Sequence, residues 1–190
     1  MRKGLTLLLY SRYPVLFAEH RFSPAETGMA WGFQHDDGWF GVVDALAAVI
    51  TAHAPAASAV QVKQDMGALR FTLREGDAFT HGACAAAERF SKGVSEVSGR
   101  RGVLMVGRQG RWLKTLAPGE MAGFVPVQPL AEASGEDNSA DDEPGAFEES
   151  AALAGAAAFQ QAMAHRLHPV TGACGPVDDR GELANGAEGG

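Results

Sequence analysis

The sequence predicts an α+β fold: two β-hairpins packed with three or more helices, then an acidic linker and a C-terminal helix. Three observations predict it. Some segments carry apolar residues at helical spacing, whereas others alternate strictly between apolar and polar. The resulting order is helix–helix–hairpin–helix–hairpin, which does not suit a doubly wound parallel sheet. The composition then changes abruptly near Pro129. These features divide the chain into an α+β body over 1–130, an acidic linker over 131–150, a helix over 151–168 and a disordered tail over 169–190.

Each element has its own warrant. Met1 to Tyr10 superficially resembles a leader, but its apolar run is short and Ser11-Arg12-Tyr13-Pro14 follows, so it reads as a first helix. Asp36-Asp37-Gly38-Trp39-Phe40 opens a second helix, an Asp serving as its cap. Phe40, Val43, Leu46, Ala47 and Ile50 make its apolar stripe, and Pro55 stops it. Val60-Gln61-Val62-Lys63 and Leu69 to Arg74 alternate across Gln64-Asp65-Met66-Gly67, giving a hairpin with one apolar and one basic, polar face. From about Asp77 to Lys92, Phe79, Ala83, Ala86, Ala87 and Phe90 share a helical stripe, with Cys84 near it. Val103 to Val106, the turn Gly107-Arg108-Gln109-Gly110 and Trp112 to Leu116 form a second hairpin. Residues 131–150 hold eight acids and no base, and such a segment cannot offset its ordering entropy by burial. Residues 151–167 are Ala-rich and helical in pattern despite Gly155; Phe159, Met163 and Leu167 offer one docking face.

Charge is unevenly shared. The 190 residues carry a net charge of −7. Residues 1–130 hold 14 Lys and Arg against 11 Asp and Glu, a net of +3; residues 131–190 hold 2 against 12, a net of −10. Two cysteines, Cys84 and Cys174, do not make a disulfide framework, which favours a reducing cytoplasm. No apolar run is long enough for a membrane span, so a membrane partner is not expected.

Ser95-Glu96-Val97-Ser98 and Ala117-Pro118-Gly119-Glu120 flank the second hairpin with the spacing of two zinc half-sites. The outer positions hold Ser95, Ser98, Ala117 and Glu120. They provide no thiolate or imidazole, and one carboxylate cannot close a tetrahedral structural site. No metal or other cofactor is expected, and the two quartets read as turns packed by Val97, Val103 and Leu116.

Catalytic patterns are equally sparse. His20, His35, His53, His81, His165 and His168 are scattered, Cys84 lies beside an Ala-rich face as a buried inert thiol, and Asp36-Asp37 is explained by capping. No phosphate loop, nucleophile elbow or His-Glu-x-x-His motif occurs. The chain is therefore expected not to be an enzyme.

Several stretches together resemble a family of uncharacterised small proteins of phages and prophages. They are Tyr13-Pro14-Val15-Leu16-Phe17, Asp37-Gly38-Trp39-Phe40 with Asp44-Ala45-Leu46, Gln61-Val62-Lys63, Gly67-Ala68-Leu69-Arg70-Phe71, Ala87-Glu88-Arg89-Phe90-Ser91 and Trp112-Leu113-Lys114-Thr115-Leu116. The resemblance spans roughly residues 10–121. Members of that family carry Cys-x-x-Cys after the helix and Cys-x-x-His after the Trp-bearing strand. This chain departs from them at Ser95, Ser98, Ala117 and Glu120. The resemblance implies a mobile genetic element in a bacterial cytoplasm and no particular activity.

Two surfaces then point to partners. Arg100, Arg101, Arg108, Arg111 and Lys114 cluster on the second hairpin around Trp112, with no acid from Val97 to Gly119. Such a hairpin can track phosphates while the indole stacks on a base. Glu136, Asp137, Asp141, Asp142 and Glu143 can imitate a phosphate backbone and occupy basic grooves of nucleic-acid machinery, CRISPR effectors among them. Trp31 and Phe33 are further aromatic candidates for an interface, with core packing as the alternative. The leading expectation is a non-enzymatic inhibitor of a bacterial defence complex, anti-CRISPR-like, with a host protein or ribonucleoprotein as partner. The alternative is a nucleic-acid-binding accessory or regulatory protein using the basic hairpin 100–114. A virion assembly protein is a third class.

Overall fold

A computed structural model describes residues 1–110, 112–127 and 146–167. Its helices are α1 (Lys3–Arg12), α2 (Phe40–His53), α3 (Ala78–Ser91) and α4 (Ala146–Leu167). Its strands are β1 (Ala59–Asp65), β2 (Ala68–Leu73), β3 (Val103–Gly107), β4 (Leu113–Leu116) and β5 (Phe124–Pro126). Three 3₁₀ turns, Ala18–Arg21, Gly28–Trp31 and Asp37–Trp39, fill the stretch between α1 and α2. The α+β class and the order of helices and hairpins agree with the sequence reading; β5 and the 3₁₀ turns are additions to it.

β1 and β2 pair antiparallel, with Val62 opposite Phe71 and Asp65 opposite Ala68. Met66 and Gly67 form the tight turn, both at positive φ, +51° and +83°. This is the backbone twist that a two-residue hairpin needs. The second sheet has the order β4-β3-β5, all antiparallel. The free edge of β5 is blunted. Pro126 has no N–H, and the Phe124 N–H donates to the Met121 carbonyl.

The core lies between α2, the apolar face of β1–β2, and α3. Trp39, Val42, Val43, Leu46 and Ile50 are buried from the α2 side, and Val62, Leu69 and Phe71 from the hairpin. α4 belongs to the same core. Phe159 and Met163 are buried, and the Phe159 ring meets Phe90 edge-on at 6.0 Å. A Cβ on Gly82 would fall 1.9 Å from the Ala152 carbonyl oxygen, and one on Gly155 would fall 1.8 Å from that of Phe79. The two glycines allow α3 and α4 to cross with their backbones nearly touching. Gly155 thus lowers helix propensity but makes the docking contact.

Several expectations need correction. α4 begins at Ala146, so 146–150 are helical, not linker; helix-favouring Ala and first-turn acids Glu148 and Glu149 account for the earlier start. Neither Asp36 nor Asp37 caps α2 through its side chain. Asp36 instead pairs with Lys114, and Asp37 with Arg2. The capping role belongs to Asp77 at α3, whose carboxylate accepts from the Thr80 amide at 2.8 Å in a reciprocal capping box. Val97 and Val103 are exposed, leaving Leu116 as the apolar anchor of the second hairpin among those three.

Candidate functional site: the two knuckles and the basic hairpin

The two quartets do meet in space. The first is a closed loop: the Ser95 amide donates to the Arg100 carbonyl at 2.7 Å, and the Gly99 amide returns to the Ser95 carbonyl at 2.9 Å. Gly99 takes a φ of +74° to turn the chain. The Ser95 hydroxyl oxygen accepts from the amides of Val97 and Ser98, both at 3.2 Å. This loop sits on the start of α2. The Gly38 amide and the Trp39 indole N–H donate to the carbonyls of Glu96 and Val94, both at 2.8 Å. A Cβ at Gly38 would lie 2.2 Å from the Ser95 carbonyl oxygen, so only glycine fits. The Asp37-Gly38-Trp39 motif is therefore the seat of the knuckle.

Glu120 folds back from the second quartet. Its Oε2 accepts from the Ser95 hydroxyl and from the Ala117 amide, the latter at 3.0 Å. The Arg100 guanidinium lies 3.4 Å from its Oε1 and donates at the same distance to the Pro118 carbonyl. Burial alone would push this carboxyl up, but these hydrogen bonds outweigh it and bring its pKa down to about 2. The groups around the junction are donors: a hydroxyl, an amide and a guanidinium. Among the described residues no three His, Cys, Asp or Glu converge as metal ligands.

The hairpin's cations are less available than the acid-free stretch suggests. Lys114 does not project freely: its ammonium lies 3.0 Å from Asp36 and 3.5 Å from Glu96. Glu96 is buried, which raises its pKa despite the Lys114 charge, and its second oxygen has no hydrogen-bond partner among the described residues. Arg100 is committed to Glu120. Of the three acids that meet these cations, Glu96 and Glu120 stand immediately outside the 97–119 window and are legible there, whereas Asp36 comes from the turn before α2. Arg101 and Arg108 are exposed and make no ion pair among the described residues. Arg111, Glu136, Asp137, Asp141, Asp142 and Glu143 lie outside the described residues.

Trp112 is 69% exposed, beside the Gly107–Gly110 turn. Its face of the sheet carries Gly107, whose Cβ position is 3.9 Å from the Trp112 Cβ and 3.7 Å from the Phe124 ring. Of the other aromatic pair, Trp31 is 70% exposed, whereas Phe33 is 7% exposed, stacks with Tyr10 and meets Phe17 edge-on. The Cys84 thiol is pushed up to about 12 by burial, which makes it a poor nucleophile at neutral pH. A cleft of about 520 Å³ runs along Ala54–Ser58 and Arg74–Asp77. Its one cation, Arg74, is held by Glu19 at 2.6 and 2.7 Å, which leaves little for a ligand.

No family model matches the chain, and no curated protein or solved structure resembles it at a significant level. Among the described residues no helix is long and apolar enough to cross a membrane.

Proposed function

We propose that this chain is a non-enzymatic binding protein of a phage or other mobile element that inhibits a bacterial defence complex in the host cytoplasm, in the manner of an anti-CRISPR protein. The observation that carries the binding mode is the state of the second hairpin. Lys114 is paired with Asp36 and Arg100 with Glu120, while Trp112 stands exposed next to the Gly107–Gly110 turn. A large exposed aromatic is the composition of an interface anchor. A phosphate-tracking surface would keep its cations free, so protein contact fits better than duplex contact. The target class rests on the resemblance and on the acidic segment, whose carboxylates at Glu136, Asp137, Asp141, Asp142 and Glu143 suit the basic channels of a ribonucleoprotein effector.

The test is expression in bacteria with defined, active CRISPR systems, challenged with a targeted phage. Plaquing should recover on at least one system. Trp112→Ala should reduce that recovery. Plaquing that stays suppressed across the panel overturns the reading. Replacing the five acids by Asn and Gln, which spares α4, separates mimicry from hairpin contact. The nucleic-acid reading retains Arg101, Arg108 and Trp112 in its favour. Binding to random duplex DNA at about 50 mM salt that disappears by about 200 mM would select it instead.

A further inference from the structure

We infer that the junction of the two knuckles is an anion site, built to hold one carboxylate, which the chain fills with its own Glu120. The ligand class it recognises is a small carboxylate; a divalent cation is excluded. Four groups carry this. The Ser95 hydroxyl and the Ala117 amide both donate to one oxygen of the Glu120 carboxylate. The Arg100 guanidinium approaches the other, and Arg100 is itself positioned by the Ser98 hydroxyl, which accepts from its amide at 3.3 Å and its Nε at 3.4 Å. Donors converging from both knuckles stabilise a negative charge and repel a positive one. The frame exists without Glu120. Ser95 is fixed by backbone bonds to Arg100 and Gly99, and the Ser95 oxygen by the amides of Val97 and Ser98. Ala117 is buried at the end of β4. Removing the carboxylate should leave the donors in place and unsatisfied.

The experiment is chemical rescue. Glu120→Ala deletes CH₂–COO⁻, which acetate replaces nearly atom for atom. Melting of the full chain is followed in acetate, in pivalate and in chloride at equal ionic strength. We expect Glu120→Ala to lower Tm by about 5 °C, a typical consequence of losing a set of part-buried hydrogen bonds at this chain length. Acetate at a few hundred millimolar should recover roughly half of that shift, as mass action predicts for a weak site. Pivalate, with the same charge and more bulk, should recover little, and wild type should respond to neither. If Glu120→Ala is unfolded in chloride, acetate should restore its folded circular dichroism signal, so the titration still decides. Glu120→Gln, which keeps the shape and loses the charge, should show no acetate response because its amide fills the site. Equal effects of acetate on variant and wild type, equal rescue by pivalate, or stabilisation of either protein by zinc would each overturn the assignment.

Discussion

Asp44 is the single residue with the most demanding surroundings. It is buried in the middle of α2, and its carboxylate accepts from Arg12 at 3.0 Å, from the Tyr13 hydroxyl at 2.9 Å and from Arg166. One side chain thereby joins α1, α2 and α4. In sequence it looks like an ordinary polar position on a helix, because partners 31 and 122 residues away cannot be read from local pattern. Asp44→Ala removes the buried anion and leaves two partly exposed arginines that water can solvate, so the loss is about 1.5–3 kcal/mol, the range for hydrogen bonds to a charged group. The urea midpoint should fall accordingly, and an unchanged midpoint would contradict the contact set. Gly38 makes the opposite lesson. The Asp-Gly-Trp-Phe motif was visible, but the reason for its glycine is a carbonyl oxygen of the knuckle 57 residues later in the chain.

At the scale of elements, α4 decides the most. Its helicity was legible from Ala content and spacing, and two of the three residues named for its docking face, Phe159 and Met163, are buried. Its place in the core was not legible, because the Gly82–Gly155 crossing pairs residues from distant segments. Phe159→Ala should cost about 3–5 kcal/mol, the range for a large aromatic removed from a core. Gly155→Val should be comparably severe, since its Cβ would meet backbone that cannot turn aside. Both are read by denaturant unfolding; a loss under 1 kcal/mol for either would mean that α4 is dispensable. The second hairpin shows the reverse error. Its strands and turn were legible, but its charge was overcounted, because Asp36, Glu96 and Glu120 fold in from outside the window.

For the whole molecule, pH is the sharpest probe. Glu19 is buried and held to about 2, chiefly by Arg74, and Glu120 to about 2 by the knuckle donors. Both pKa values are depressed, so their stabilisation is present above the unfolded range near 4.5 and is lost as pH falls toward 2. For Glu19 alone the shift corresponds to roughly 3 kcal/mol. His35 adds a loss at higher pH. Burial lowers it to about 4, and its Nε2 has no hydrogen-bond partner among the described residues. The unfolded chain therefore binds a proton between about pH 6.5 and 4 that the folded chain refuses, and stability falls across that window on acidification. The expected profile from denaturant titrations is two-stage: a first decline from about pH 6.5 to 4, abolished by His35→Gln, and a second below about 4.5, reduced by Glu19→Gln. A flat profile from pH 7 to 4 would contradict the buried neutral imidazole. A chelator should leave Tm unchanged at neutral pH.

The sequence by itself determined the class of fold, the two hairpins, the helical stripes and the absence of thiolate and imidazole where a zinc staple would need them. These are local properties, carried by periodicity, turn residues and residue chemistry within a few positions. The tertiary structure decided which charges remain available, why particular glycines are required, that the last helix completes the core, and which groups join the two quartets. Those depend on groups brought together from distant parts of the chain: Ser95 with Glu120, Lys114 with Asp36, Asp44 with Arg166. Burial and long-range pairing set their energies, and neither is encoded in spacing along the chain.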